Sequence, residues 1–164
     1  MRDPSRRLYA ESVFARFRAL PGSDEIATAF AIEGLVKLLR MDRPQRVIEL
    51  GGGIGTLSQV ILDEMPAGSI LTVLERNGWC GARWAENVVI KTLAWTPHRL
   101  SAWPDKPYDW PVRPVDLLVV DDWLPLRYDQ VEVLLGRRAL VFLEGNRPIE
   151  RCIVREGLRA KGRR

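Results

Sequence analysis

One histidine and two cysteines are all that this chain of 164 residues offers to thiol or imidazole chemistry. Cys80 and Cys152 stand alone, without a CxxC or a paired metal spacing, so a zinc framework is excluded and reduced thiols in a cytoplasmic protein are expected. His98 follows Pro97 in a stretch of weak pattern and is expected to be structural rather than catalytic. No apolar run approaches the roughly 18 residues of a membrane span. The start, Met1-Arg2-Asp3-Pro4-Ser5-Arg6-Arg7, is basic but lacks the apolar core of a signal peptide. Internal repeats and low-complexity segments are absent too.

What is present is an ordinary globular balance, 46% hydrophobic and 28% charged, long enough for one domain with a real core. The formal charge is +4, much of it at the ends in Arg2, Arg6, Arg7, Arg155, Arg159, Lys161, Arg163 and Arg164. A basic surface attracts nucleic acid, but no basic stretch interleaved with aromatics is visible, and solubilising ends are the favoured reading.

Residues 7–19 carry Leu8, Val13, Phe14 and Phe17 at helical spacing, and Pro21-Gly22 ends the run. Ser23 is the expected N-cap of a second helix whose stripe is Ile26, Phe30, Leu35, Leu38 and Leu39, closed by Arg43-Pro44. Strands then alternate with helices: strand 46–50, helix 54–65, strand 69–75, helix 78–90 with Asn77 as its N-cap, a weak strand at 97–102, and a proline-rich loop over 103–114. Strand 116–121, a helix at 126–136, strand 139–143 and a helix at 147–160 complete the pattern. Near-continuous apolar strands are covered on both faces, so the expected fold is α/β: a Rossmann-like, doubly wound, mainly parallel sheet. Residues 1–42 form a helical cover, 43–146 a cofactor-binding core, and 147–164 a C-terminal helix and basic tail, all in a single domain. The sheet is expected to be shortened at its C-terminal end unless 152–158 form an edge strand; the exposed edge would favour a homodimer.

The run Val47-Ile48-Glu49-Leu50-Gly51-Gly52-Gly53-Ile54-Gly55-Thr56 reads as a buried strand, a tight turn and a helix start. Glycines let backbone approach a ligand closely, and a helix start offers free N–H groups. A dinucleotide fingerprint starting at Gly51 needs glycine at 56, where threonine stands, which disfavours a nicotinamide enzyme. Ligands in such sheets sit beyond the carboxyl ends of the strands, and Glu49, Glu75, Asp121 and Glu144 each end a proposed strand. Glu75 is placed to accept hydrogen bonds from ribose hydroxyls. Glu49 either orients the loop or reaches a ligand ammonium. Trp103 and Trp123 are candidates to lie on a purine, with Ser101 or Ala102 at its edge.

The spacing E-x-G-x-G-x-G through Glu49, Gly51, Gly53 and Gly55 resembles the first motif of class I S-adenosylmethionine-dependent methyltransferases. Asp121-Asp122-Trp123, with Arg127-Tyr128 after it, and Leu71-Thr72-Val73-Leu74-Glu75-Arg76-Asn77 resemble catechol O-methyltransferase and its small-molecule relatives over roughly residues 43–146. The resemblance implies S-adenosylmethionine as cofactor and O-methylation of a small molecule; removing the acceptor's proton needs a base, for which Asp121, Asp122 and Glu144 are the candidates. In that group an aspartate at the Asp121 position and an Asp-Asn pair bind Mg²⁺, and a lysine past the tryptophan acts as base. Here Glu144-Gly145-Asn146 stands for the pair and Leu124 for the lysine. The oxygen donors Asp121, Glu144 and Asn146 are what remains for Mg²⁺. The alternatives are a non-catalytic cofactor-binding or partner-binding module and an RNA or protein methyltransferase. No Asn-Pro-Pro-Tyr or base-C5 cysteine motif is present.

Overall fold

A computed structural model describes residues 4–89, 114–121, 134–145 and 148–160. The expected strand at 97–102, most of the 103–114 loop and the start of the 126–136 helix lie outside these residues, as do Ser101, Trp103, Asp122, Trp123 and Asn146.

Four strands form one sheet in the order β2-β1-β3-β4, with every pairing parallel: β1 (Arg46–Leu50), β2 (Ile70–Leu74), β3 (Val115–Val120) and β4 (Leu135–Leu143). Alternation along the strands divides the core in two. Val47, Leu71, Val73, Leu117 and Val119 face a layer of helices α1 (Pro4–Arg18), α2 (Ala29–Asp42) and α3 (Thr56–Glu64). Ile48, Leu50, Leu118 and Val120 pack on the other side with Val154 of helix α5 (Pro148–Ala160). Helix α4 (Gly78–Asn87) follows β2. This is the doubly wound α/β arrangement, with the chain reversing direction across the sheet between β1 and β3.

Polar ties fix the layers in register. The Tyr9 hydroxyl donates to Asp63 Oδ2 at 2.8 Å, joining α1 to α3. Asp116 of β3 accepts the Gln45 and Arg46 amides at 3.1 and 2.9 Å and Arg46 Nη2 at 3.1 Å, pinning the start of β1.

Three expectations need correcting, and the edge-strand alternative gives way to the expected C-terminal helix. Ser23 caps no α-helix: its hydroxyl donates to the Arg18 carbonyl at 3.0 Å within a short 3-10 turn over Ser23–Glu25. Helix α2 begins six residues later, at Ala29, where Thr28 Oγ1 accepts the Ala31 amide at 3.2 Å. Phe30 and Leu8 are exposed, so the stripes of α2 and α1 turn inward through Ile32, Leu35, Val36 and Leu39 and through Ala10, Val13 and Phe17. Strand β4 already starts at Leu135, where the sequence suggests the end of a helix, and an irregular pairing with β3 absorbs the added residues. Residues 152–158 are helical within α5, since burying Val154 against the sheet sets a helical rather than a strand period.

Candidate functional site

The parallel ladder runs one residue past each strand on the carboxyl side. Gly51 N–H donates to Leu74 O and Asp121 N–H to Leu50 O, both at 2.8 Å, and Glu144 N–H donates to Val120 O at 3.0 Å. The loops after β1, β2 and β3 are thereby brought to one rim. Around them lies a cleft of about 440 Å³, lined by Gly51, Gly53, Thr56, Glu75 and Asp121 and also by Asp24 and Glu25 from the segment between α1 and α2. That volume falls in the range of small-molecule sites, about 300–1,000 Å³.

Glu75 organises the floor. One carboxylate oxygen accepts the Gly53 amide at 2.7 Å and the other the Asn77 amide at 2.6 Å. The Asn77 side chain in turn caps α4, accepting from Trp79 N and Cys80 N at 3.0 and 3.3 Å. Gly53 sits at φ 52°, a left-handed conformation, and a Cβ there would meet open space. Gly52 answers to packing: a Cβ would lie 2.5 Å from Val73 Cγ1.

The cleft is acidic. Among the described residues, Asp24, Glu25, Glu75 and Asp121 line it against one arginine, Arg76. Such a wall favours a cationic ligand and opposes a pyrophosphate.

Beneath the loop lies a second polar layer. Glu49 is fully buried on the α3 side of β1. The Ser58 hydroxyl donates to Glu49 Oε2, and Trp84 Nε1 donates to Ser58 Oγ at 2.6 Å. Glu49 Oε1 and Thr56 Oγ1 are buried without a hydrogen-bond partner. Burial pushes the Glu49 carboxyl well above the usual range; the hydrogen bond from Ser58 opposes this, and the nearby Asp121 and Glu75 charges add to it.

Of the residues expected from sequence, Gly51, Gly53, Glu75 and Asp121 meet on the cleft wall. Glu49 lies in the layer below, Gly55 faces Val88 and Trp84, and Glu144 follows β4 and is not among the described lining residues. No cluster of three or more histidine, cysteine or acidic side chains suited to a metal occurs among the described residues. Sequence reasoning missed Asp24 and Glu25 as cleft residues, having placed them on a helix. It also missed Ser58, whose only signal was polarity on an otherwise buried helix α3, and Trp84 of α4.

No family model and no curated protein matches the sequence. Solved structures do match the fold. A precorrin-6y C5,15-methyltransferase from Geobacter metallireducens superposes with a TM-score of 0.65 at 16% identity, over 85% of this chain and 74% of that one. The methyltransferase PaMTH1 of Podospora anserina, solved with S-adenosylhomocysteine, gives 0.61 at 14% identity over 80% of this chain. This chain spans 59% of that protein's length. The O-methyltransferase TomG of Streptomyces achromogenes, solved with S-adenosylmethionine, gives 0.56 at 16% identity, over 98% and 77% of the two chains. The fold of this protein is that of the S-adenosylmethionine-dependent methyltransferases.

Proposed function

We propose that the cleft binds S-adenosylmethionine and that the protein transfers its methyl group to a hydroxyl of a small molecule. The observation that carries the reading is the acidic cleft at the chain-reversal point. Glu75 lies there against the glycine turn, and the described residues of the wall hold four carboxylates against one arginine. S-adenosylmethionine has no phosphate and carries two cationic groups, a sulfonium and an ammonium, so it suits such a wall, whereas a dinucleotide does not.

The residues present fit the cofactor. Glu75 has lone pairs left for ribose hydroxyls after accepting Gly53 and Asn77, because a carboxylate has about four acceptor sites. The open space at Gly53 admits close contact with its backbone. Asp24 and Glu25, which also line the cleft, are the acids offered to an ammonium. The bound cofactor supplies an already activated methyl group. The protein then has to align the acceptor and hold a base for its proton. Asp121 is the candidate base on the cleft wall, and Asp122 and Glu144 are the other acids that the sequence offers after these strands. The choice of a hydroxyl acceptor rests on the Asp121-Asp122-Trp123 resemblance and is supported by the O-methyltransferase among the structural neighbours.

Calorimetry with S-adenosylmethionine, S-adenosylhomocysteine and NADH tests the first step. Binding of the two sulfur compounds and not of NADH is expected; the reverse order would overturn the reading. Methyl transfer from labelled cofactor to a panel of phenols and catechols, with and without chelator, then tests acceptor class and Mg²⁺ dependence.

A further inference from the structure

Trp79 stands in the first turn of α4 and keeps 51% of its surface exposed. The far edge of its ring rests on backbone. A Cβ built on Gly22 would lie 2.4 Å from Trp79 Cη2 and 2.6 Å from Cζ3, so the ring fills the place where any other residue at 22 would carry its side chain. The same Cβ would lie 3.3 Å from Ile54 Cγ2. Gly22 also sits at φ 81°, in the left-handed region. Glycine at this position therefore meets two demands at once, the turn of the chain and the seat of the ring.

Three parts of the chain meet at this contact: Gly22 from the segment between α1 and α2, Ile54 from the glycine turn after β1, and Trp79 from α4. Gly22 and Ile54 line the cleft, and so do Asp24 and Glu25 a few residues on from Gly22. Trp79 is not among the described lining residues, so it acts on the cleft through Gly22.

The two ends of α4 are held by different forces. At its C-terminal end Asn87 Nδ2 donates to Ile54 O at 3.1 Å, and the Arg16 guanidinium donates to Asn87 O. At its N-terminal end the Trp79 ring makes van der Waals contact with Gly22 and carries Arg83 over its face, 5.8 Å from the centroid. A ring edge on a glycine gains dispersion energy but forms no hydrogen bond. Such a contact can part and re-form without stranding a buried polar group.

We propose that Trp79 is a clasp on the cleft: its ring, seated on the Gly22 backbone, holds the segment that bears Asp24 and Glu25 against the glycine turn, and release of the ring sets how fast a bound ligand leaves. The proposal rests on the reading of the cleft as a cofactor site. A methyltransferase must release its spent cofactor at every turnover, and release of product commonly waits on a loop opening. A segment fastened by a detachable ring supplies that opening without disturbing β1, β2 or Glu75. Trp79 is thus a positioning residue, not a catalytic one.

The test is surface plasmon resonance of S-adenosylhomocysteine on the full chain, comparing wild type, Trp79→Ala, Gly22→Ala and the double variant. Trp79→Ala should raise the dissociation rate about tenfold or more, with a smaller change in association, since changes at a binding site act mainly on dissociation. Gly22→Ala puts a methyl group into the seat of the ring and should raise the rate as well; it carries the same prediction should Trp79→Ala fail to fold. The effects should not add in the double variant, because each substitution removes the same contact, while the backbone strain of alanine at 22 is common to the single and the double and cancels. Amide exchange over residues 22–26 should slow on ligand binding in wild type and not in Trp79→Ala. Unchanged dissociation in folded variants, fully additive effects, or equal slowing of exchange in Trp79→Ala would each overturn the clasp and leave the cofactor reading standing. Failure of wild type to bind S-adenosylhomocysteine would overturn the cofactor reading and the clasp with it.

Discussion

Glu75, Gly53 and Glu49 each do something different within a few residues of one another. Glu75 joins the glycine turn to the start of α4 through the Gly53 and Asn77 amides. Glu75→Ala is expected to weaken S-adenosylmethionine binding by about 1.5–3 kcal/mol, the range for hydrogen bonds to a charged group. Unchanged calorimetric affinity in a folded variant would remove the ribose role. Gly53→Val should leave the fold largely intact, because its Cβ meets no neighbour, at a cost of about 1–2 kcal/mol for a left-handed β-carbon. It should abolish cofactor binding by placing the side chain on the cleft wall. Glu49 behaves otherwise. Burial raises the titration of its carboxyl, so folding favours the neutral form. The stability this confers is complete at acid pH and is lost as pH rises through the raised titration of the folded state. Thermal unfolding across pH should show wild type losing ground to Glu49→Gln on the alkaline side. A constant difference would mean that Glu49 titrates normally.

At the scale of elements, the site is made by what strands and helices do at their ends. β1, β2 and β3 stop in step, and the amides of Gly51 and Asp121 continue the ladder to their neighbours. The start of β1 is held by Asp116, whose carboxyl is pushed up by burial but drawn below its ordinary value overall by the Arg46 side chain and the Gln45 and Arg46 amides. The sign is opposite to that of Glu49. The Asp116 contribution is present at neutral pH and lost as pH falls, so the stability gap between wild type and Asp116→Ala should close toward acid pH. A gap that stays open in acid urea titrations would show that the amide bonds matter and the charge does not. The segment between α1 and α2 is tied down by Arg18 Nη1 donating to Ser23 O at 2.8 Å, with the Trp79 ring against Gly22. That segment carries Asp24 and Glu25 to the cleft. Its position explains why the two acids after Ser23, the expected cap of a helix, belong to the site.

For the whole molecule, charge separates two surfaces: an acidic cleft at the carboxyl edge of the sheet and a basic groove along β4 and α5. The net charge of +4 is therefore no guide to what the cleft binds. No helix among the described residues is long and apolar enough to cross a membrane.

The sequence by itself determined the layer architecture and half of the cleft. Apolar strands alternating with helices allow little besides a parallel sheet covered on both faces. Residues that follow such strands must reach one rim, which is why Gly51, Gly53, Glu75 and Asp121 could be placed together from their positions alone. Asn77 was legible for a similar reason, since an N-cap is a local bond between a side chain and amides two or three residues on. Tertiary structure alone decided the rest. Whether Glu49 faces solvent, ligand or core depends on α3 bringing Ser58 over it and α4 bringing Trp84. Whether Asp24 and Glu25 solvate a helix or line a cleft depends on how α1 and α2 lie on the sheet. Whether the arginines of α5 form a tail or a groove depends on β4 beside them. Each of these is a meeting between segments far apart in the chain, and local pattern carries no information about which distant face a side chain will meet.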